Sequence, residues 1–443
     1  RLGLYRHFLA MDLLRNAYAT VSDDEDEKKS SGQPPIKRMR RENHPTFQVG
    51  KPSMQPCPKL YSLDLQKEAP VAGRYISKRE RSMMGSSVAS ELKPPPTTVI
   101  TSPVIGSISD SDLQSDMLSS LRSQVNESKH HNKTPERLSV SLNGHKKAVN
   151  AVHWSPTHAH LLASAGMDNS VCIWNVWSRG EKKACAINYH SAAVKDVRWS
   201  KQGLSLLACG YDCSSRLIDV EKGIEKQFFN EDQVVGVIKF HPDNSNLFLS
   251  GGSKGIIRLW DIRTCKPVQE YIRGLGPIQD VDFSIDSKRF ISSSDVSKGM
   301  VTENAIVVWD LSRQIPLSNQ VYVEAYTCPC IRYHPFEPFF VAQSNGNYIG
   351  IFSSKPPFRF DKYKMYAKHG VSGFPIKCNF SSDGERLASG SSNGCIYLYN
   401  YRSTEVVKRL KAYEHACIDV AFHPFIPNVI ASCSWNGDVS VFE

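Results

Sequence analysis

The histidines, cysteines and glycine motifs of this sequence are the features whose spacing could indicate chemistry. His153, His158 and His160 lie close together, but the alternating pattern places His153 in a strand and the other two in a polar turn. We therefore expect no metal site from them. Cys328-Pro329-Cys330 is the nearest approach to a zinc-type pair, and no phosphate-binding loop, nucleophile elbow or HExxH motif occurs. The sequence predicts a protein that is not an enzyme and has no cofactor, metal or small-molecule substrate.

The composition limits the classes of protein that remain. Of the 443 residues, 40% are hydrophobic and 22% are charged, which is ordinary for a globular protein and excludes a wholly disordered or collagen-like chain. The net charge of +10 is spread too thinly to indicate a dedicated nucleic-acid binder. Apolar stretches such as Val234–Ile238 are far shorter than the roughly 20 residues of a membrane-spanning helix. Twelve cysteines are too few for a disulfide scaffold, so we expect mostly buried thiols.

The two ends of the chain differ in the residues that form cores. All seven tryptophans lie after residue 150, and eleven of the twelve cysteines lie after residue 135. The preceding part contains an acidic run, a basic run, three consecutive prolines and a Ser-rich stretch at 101–128. Such a composition cannot bury enough apolar surface to offset the entropy of ordering. We predict a disordered tail at residues 1–135 and a folded domain at residues 136–443.

One pattern recurs seven times in the folded domain. Each copy has an aromatic residue that closes an alternating strand, then a small-residue strand, a tight polar turn and a strand with a second bulky residue. The first markers are Trp154, Trp199, Phe240, Phe283, Tyr333, Phe380 and Phe422. The second markers are Trp174, Ile218, Trp260, Trp309, Phe352, Tyr399 and Phe442. A period of about 45 residues with four short strands is typical of a β-propeller blade.

The same pattern predicts how the ring closes. The last repeat ends at Phe442-Glu443 without an outer strand, whereas residues 137–142 form a predicted strand with no blade of its own. We expect this strand to complete the seventh blade, since that removes two exposed sheet edges. The fourth repeat is longer by roughly six residues, which we place in a surface loop at 295–304. The predicted fold is all-β, a seven-bladed β-propeller preceded by a disordered tail.

Short motifs in these repeats resemble the WD-repeat family. Gly144-His145 followed by Trp174-Asn175, together with Trp260-Asp261 and Trp309-Asp310, matches the G-H and W-D marks of that family over roughly residues 137–443. The resemblance implies a hydrogen-bonded chain across the first blade, formed by His145, Ser164, Asp168 and Trp174. Later repeats depart from the pattern: Ile218 replaces the second tryptophan, and Lys254 replaces the aspartate of the third turn.

A narrower resemblance is to the WD-repeat pre-mRNA splicing factors of the second catalytic step. It rests on segments spread over most of the ring: 257–263, 268–271, 340–344, 349–352, 358–359, 369–373, 380–384, 389–390, 417–418 and 423–424. It implies a non-enzymatic nuclear scaffold of spliceosomal complexes, with protein partners on the propeller faces and spliceosomal proteins and RNA as candidates. Little of the N-terminal extension of those factors is recognised outside residues 73–81, so the chain is expected to be a shorter relative.

Two basic segments of the tail are candidate functional motifs. The first resembles a monopartite nuclear-localisation signal, which predicts a nuclear protein, and its basic residues are Lys37, Arg38, Arg40 and Arg41. Its alternative is a solvated basic patch. The second combines an aromatic residue with basic ones and is a candidate segment for contact with protein or RNA, formed by Arg74, Tyr75, Lys78, Arg79 and Arg81. Its alternative is an inert linker.

A competing function comes from the third repeat. Trp260, Asp261 and Arg263 resemble the W-D-x-R box by which WD-repeat substrate receptors of cullin-type ubiquitin ligases bind the ligase adaptor. Lys254 stands where that box has an acidic residue, which reverses the charge. The simpler alternative is that Arg263 extends a blade strand. A general protein-interaction adaptor and a direct RNA-binding role, which would rest on the basic tail, are the remaining possibilities.

Overall fold

A computed structural model describes residues 106–113, 115, 117, 119, 121, 134–295, 306–320 and 327–443. In these residues, seven four-stranded antiparallel sheets form the blades of a propeller. The inner strands of neighbouring blades contact each other in sequence around the ring, and the last inner strand contacts the first. The prediction of a seven-bladed β-propeller is confirmed. None of the described helical residues belongs to a helix long and apolar enough to cross a bilayer.

Blades 1 to 4 follow one another along the chain, each listed from the inner strand outward. Blade 1 contains β2 (Val149–Trp154), β3 (Leu161–Gly166), β4 (Val171–Asn175) and β5 (Lys183–Ile187). Blade 2 contains β6 (Val194–Trp199), β7 (Ser205–Gly210), β8 (Ser214–Asp219) and β9 (Glu225–Asn230). Blade 3 contains β10 (Val235–Phe240), β11 (Leu247–Gly252), β12 (Ile257–Asp261) and β13 (Lys266–Tyr271). Blade 4 contains β14 (Ile278–Phe283), β15 (Arg289–Ser294), β16 (Ile306–Asp310) and β17 (Pro316–Gln320).

Blades 5 to 7 complete the ring. Blade 5 contains β18 (Cys330–Tyr333), β19 (Phe339–Ser344), β20 (Tyr348–Ser353) and β21 (Phe360–Tyr366). Blade 6 contains β22 (Cys378–Phe380), β23 (Arg386–Ser389), β24 (Cys395–Asn400) and β25 (Val406–Lys411). Blade 7 contains β26 (Cys417–Phe422), β27 (Ile430–Ser434), β28 (Val439–Phe442) and, as its outer strand, β1 (Leu138–Leu142).

The two marker series define the register of every blade. Each first marker is the last residue of an inner strand, and each second marker lies in the third strand. In blade 1, Trp154 pairs with Leu162, which in turn pairs with Trp174, so the bulky residues lie across three adjacent strands. Large side chains at one level of each blade fill the space between neighbouring sheets, which diverge toward the rim.

The seventh blade is assembled from both ends of the domain. β1 pairs antiparallel with β28, with Leu138 opposite Phe442 and Leu142 opposite Val439. The backbone N–H groups of Glu136 and Arg137 both donate to the carbonyl of Glu443, at 2.6 and 2.9 Å. These bonds cover the edge of β28, which would otherwise expose unpaired backbone groups.

Residues 106–113, the strap, pack against blade 1. Leu113 is only 2% exposed and belongs to the same apolar cluster as Trp154 and Trp177. The backbone N–H of Gly106 donates to the carbonyl of Ala184 at 3.0 Å. The prediction of a disordered tail over residues 1–135 is therefore corrected at the strap, because one apolar anchor and several backbone hydrogen bonds fix it. The predicted insertion at 295–304 lies almost wholly outside the described residues.

Candidate functional site

The four residues predicted to form a polar chain in blade 1 are brought together by the structure. Trp174 donates through Nε1 to Ser164 Oγ at 2.8 Å. His145 donates through Nε2 to the same oxygen at 2.7 Å and through Nδ1 to Asp168 Oδ1 at 3.0 Å. The chain links the third strand, the second strand and the two turns on one side of the blade. These hydrogen bonds join residues of one blade, and the role that the structure shows for the chain is structural.

Burial and hydrogen bonding shift the pKa of His145 in opposite directions, and the same is true of Asp168. Burial lowers the pKa of His145, but the hydrogen bond to Asp168 outweighs it, and the pKa rises from 6.5 to about 9. Burial alone would raise the pKa of Asp168, whereas the hydrogen bond from His145 lowers it strongly. At neutral pH the pair is therefore an imidazolium bonded to a carboxylate, which satisfies both buried groups.

Blade 2 has the His–Asp pair of this polar chain but lacks its serine and tryptophan. His190 Nδ1 donates to Asp212 Oδ2 at 3.0 Å. Ala208 and Ile218 occupy the places that Ser164 and Trp174 hold in blade 1, as the strand registers show. His190 Nε2 consequently has no hydrogen-bond partner among the described residues, although it is buried.

Blade 3 lacks the His–Asp pair, because Glu231 stands in the place of the histidine and Lys254 in the place of the aspartate. Trp260 Nε1 still donates to Ser250 Oγ at 3.0 Å. Lys254, which stands in the place of the turn aspartate, contacts Asp232 at 2.9 Å on the surface of the blade. The backbone N–H of Lys254 also donates to Gln233 Oε1 at 3.1 Å. The charge reversal seen in the sequence is thus compensated within the same two turns.

The candidate adaptor-binding residues lie at the end of β12. Trp260 is buried, Asp261 is the last residue of the strand, and Arg263 lies in the following turn. The Arg263 side chain is 68% exposed and contacts Asp261 at 2.8 Å. The alternative in which Arg263 extends a blade strand is wrong, because β12 ends two residues earlier. The residue instead projects from a turn between the third and fourth strands.

A network of buried charges at the centre of the ring was not foreseen from the sequence. Asp196 pairs with Arg198 at 3.1 Å, and Lys377 reaches Asp196 and Asp419, each at 3.6 Å. Lys377 precedes the inner strand of blade 6, so its contact with Asp419 joins the adjacent blades 6 and 7, whereas its contact with Asp196 of blade 2 crosses the central channel. Burial raises the pKa of Asp196, but Arg198 and the other cations outweigh it and lower the pKa to about 2.

Two further pairs extend the network, Arg332 with Asp280 and Lys239 with Asp282. Each residue of this network that lies on an inner strand stands one or three positions before the aromatic residue that closes the strand. This spacing is the signal that sequence reasoning missed. The charges neutralise one another, so the network ties inner strands together and needs no ligand.

Of the three histidines considered as metal ligands, His158 and His160 are in edge-to-face ring contact, with centroids 6.3 Å apart, and each histidine has its own surroundings. His153 Nδ1 accepts from the backbone N–H of Trp199 at 3.2 Å, and burial holds its pKa well below 6.5. His160 donates to the strap, through Nε2 to the carbonyl of Ile108 at 3.0 Å. In the part of the chain that the structure describes, no group of three or more His, Cys, Asp or Glu side chains could hold a metal ion. The basic segments at 37–41 and 74–81 lie outside the described residues.

Comparison with known proteins agrees with this geometry. Residues 136–175, 182–219, 226–261 and 364–400 match the model of the WD domain, G-beta repeat. The chain belongs to the WD-repeat family. The matched segments fall in blades 1, 2, 3 and 6, and the same four-strand topology continues through the other three blades. The blades without a match are therefore degenerate WD repeats.

Three known proteins are similar to most of the folded domain. It is 36% identical over 313 residues to WD repeat-containing protein 25 of Mus musculus, covering 70% of this chain and 58% of that protein. It is 31% identical over 313 residues to Pre-mRNA-processing factor 17 of Homo sapiens, covering 70% of this chain and 52% of that protein. It is 23% identical over 322 residues to Denticleless protein homolog of Danio rerio, covering 64% of this chain and 49% of that protein. The chain thus spans about half the length of the relatives it matches.

Proposed function

We propose that this WD-repeat protein is a non-enzymatic nuclear scaffold in spliceosomal complexes. The observation that carries the proposal is the 31% identity to Pre-mRNA-processing factor 17, which extends over 70% of the chain. A rigid ring of sheets with loops on two faces suits a platform that holds several partners, because its docking surfaces keep a fixed relative geometry. The basic run at residues 37–41 supports the nuclear location.

The distribution of exposed apolar side chains favours one face for docking. We define the strap face as the side that carries the strap and the turns joining the first to the second and the third to the fourth strands. Large exposed apolar residues lie in its turns, at Leu204, Ile224, Ile285, Ile315 and Phe336. Among the described turns of the opposite face, Ile272 is the large apolar residue that is exposed. Exposed apolar surface of this kind marks protein interaction sites.

Affinity purification tests the proposal. The tagged full-length protein is recovered from nuclear extract at moderate salt, followed by mass spectrometry of the proteins and detection of small nuclear RNAs. Recovery of splicing proteins together with these RNAs is the expected result. Recovery of neither would contradict the proposal. Treatment of half of the sample with ribonuclease separates partners held by RNA from those held by direct protein contact.

The ubiquitin-ligase receptor is a second candidate, favoured by the exposed position of Arg263 on the strap face. Under this alternative, Arg263→Ala removes co-purification of the ligase adaptor and cullin. Arg402→Ala is the matched control, because Arg402 also follows a third strand on the strap face and its side chain is 83% exposed. If adaptor and cullin are recovered equally with both variants, or not recovered with the unmodified protein, the receptor function is excluded. Our proposal predicts that neither variant changes the recovery of splicing proteins.

A further inference from the structure

We propose that the cavity between the strap and blades 1 and 2 is a docking site for a short partner peptide with an apolar centre and basic flanks. This inference goes beyond the proposed function, because it names a site and a ligand chemistry that hold for any complex in which the protein works. It rests on the shape, the lining and the charge of the cavity.

The cavity is large and has a floor of apolar side chains. Its volume is about 880 Å³, and it lies between the strap and the turns of blades 1 and 2. Leu113, Leu161 and Val220 line it and are almost completely buried. This volume is at the upper end of the range of about 300–1,000 Å³ for ligand sites. The cavity therefore has room for several adjacent side chains of a peptide.

One apolar residue at the cavity is left exposed to solvent. Leu204 lines the cavity from the turn between β6 and β7, and 59% of its surface is accessible. Ile224 is also exposed and lies in the neighbouring turn of the same blade. A buried apolar floor beside an exposed leucine is the arrangement expected where a partner side chain completes the packing.

The charges around the cavity select basic flanks. Asp110 of the strap and Asp219 and Glu221 of blade 2 place three carboxylates there, against the single ammonium of Lys226. Lys226 contacts Asp219 at 2.9 Å. The lining is thus acidic overall. It attracts lysine and arginine on an approaching peptide and repels the phosphates of a nucleic acid.

The strap is part of the site and explains how the cavity forms. Asn175 Nδ2 donates to the carbonyls of Ser107 and Ser109, both at 3.1 Å, which holds the strap at a fixed distance from the end of β4. The carbonyl of Asp112 accepts from the backbone N–H of Arg179 at 3.1 Å. These bonds lie along one side of the strap, and the other side, with Ile108 and Asp110, borders the cavity.

Selection from a random peptide display library against the full-length protein tests the proposal. Parallel selections use Leu204→Asn, which removes the exposed apolar side chain at the mouth of the cavity without adding a charge, and Ile285→Asn as the control. Ile285 is 56% exposed and lies in the corresponding turn of blade 4, so it is similar to Leu204 in exposure but lies away from the cavity. We expect the unmodified protein and Ile285→Asn to enrich peptides with an apolar centre and flanking lysine or arginine. Leu204→Asn should lose that enrichment.

Fluorescence anisotropy with the most enriched peptide then measures the effect of charge. Glu221→Lys should weaken binding about tenfold, because it reverses one of the attracting charges, while circular dichroism verifies that each variant is folded. The proposal is overturned if no peptides are enriched, if the enriched peptides are acidic, or if Leu204→Asn and Glu221→Lys bind as the unmodified protein does. It is also overturned if an oligouridine RNA competes with the peptide for this site.

Discussion

Blades 1 and 2 are neighbours with the same strand register and different polar interiors. In blade 1, His145 bonds to both Asp168 and Ser164, and Trp174 completes the chain. In blade 2, His190 bonds to Asp212 but has alanine and isoleucine in place of the serine and tryptophan. The same four-stranded sheet forms in both cases.

The difference teaches that the polar chain adds local stability to a blade whose shape is set by packing. Ile218 is fully buried and packs in the same apolar cluster as Trp199, so apolar contact takes over where the tryptophan is missing. Asp212 also accepts from the backbone N–H of Ser191 and the hydroxyl of Ser214, and Arg216 contacts it at 3.5 Å. Loss of the chain therefore leaves one unsatisfied imidazole nitrogen and an intact fold, which explains how degenerate repeats persist in this ring.

The largest difference is expected from truncating the two corresponding bulky residues. Trp174→Ala should lower the free energy of unfolding by about 3–5 kcal/mol, because it opens a cavity and also removes a donor to Ser164. Ile218→Ala should cost about 2–4 kcal/mol, since it removes packing alone. Urea denaturation measures both. Equal losses of the free energy of unfolding would contradict a stabilising contribution from the hydrogen bond to Ser164.

A reciprocal exchange of the serine sharpens the comparison. Ser164→Ala leaves Trp174 Nε1 and His145 Nε2 without their acceptor and should cost about 1–3 kcal/mol. Ala208→Ser should instead stabilise blade 2 by about 0.5–1.5 kcal/mol, because the new hydroxyl gives His190 Nε2 a partner. Thermal denaturation of the two variants tests the signs. Destabilisation by Ala208→Ser would mean that the two blades differ in backbone position as well as in side chains.

The smallest expected effect is the pH dependence of the blade 1 pair. The pKa of folded His145, about 9, lies above its ordinary value of 6.5. The stability from this shift is therefore fully present below pH 6.5 and is lost as the pH rises through about 9. The melting temperature of the unmodified protein should exceed that of Asp168→Asn near pH 6.5, and the gap should shrink by about 2–4 °C toward pH 10. A constant gap would contradict the raised pKa.

The number of blades and their register were predictable because the two markers recur at nearly constant spacing. Each marker occupies the predicted strand, including Ile218 and Tyr399, where the family tryptophan is absent. The blade 1 chain followed from the family resemblance. The type of each marker residue and the repeat period can be read directly from the sequence, so the number of blades and their register can be predicted without knowledge of contacts between distant residues.

The strap and the central charges were missed for a different physical reason. The strap is a Ser-rich segment, and its one fully buried apolar residue is Leu113. The sequence does not indicate this burial, because the residues that cover Leu113, among them Trp154 and Trp177, lie beside it only in the folded protein. Lys377, Asp196 and Asp419 are far apart in sequence and meet only because the ring closes. Such long-range pairing depends on the closed geometry and leaves little local signal beyond the spacing to the closing aromatic residue.

Density-gradient sedimentation of nuclear extract, with and without added pre-mRNA, tests the central functional claim most directly. The account predicts that the full-length protein co-sediments with small nuclear RNAs in heavy fractions that form on the pre-mRNA and that ribonuclease moves it to light fractions. Trp174→Phe keeps an aromatic ring but loses the hydrogen bond to Ser164, and we expect it to fold and to sediment as the unmodified protein does. A protein that stays in the light fractions under all conditions would contradict the account.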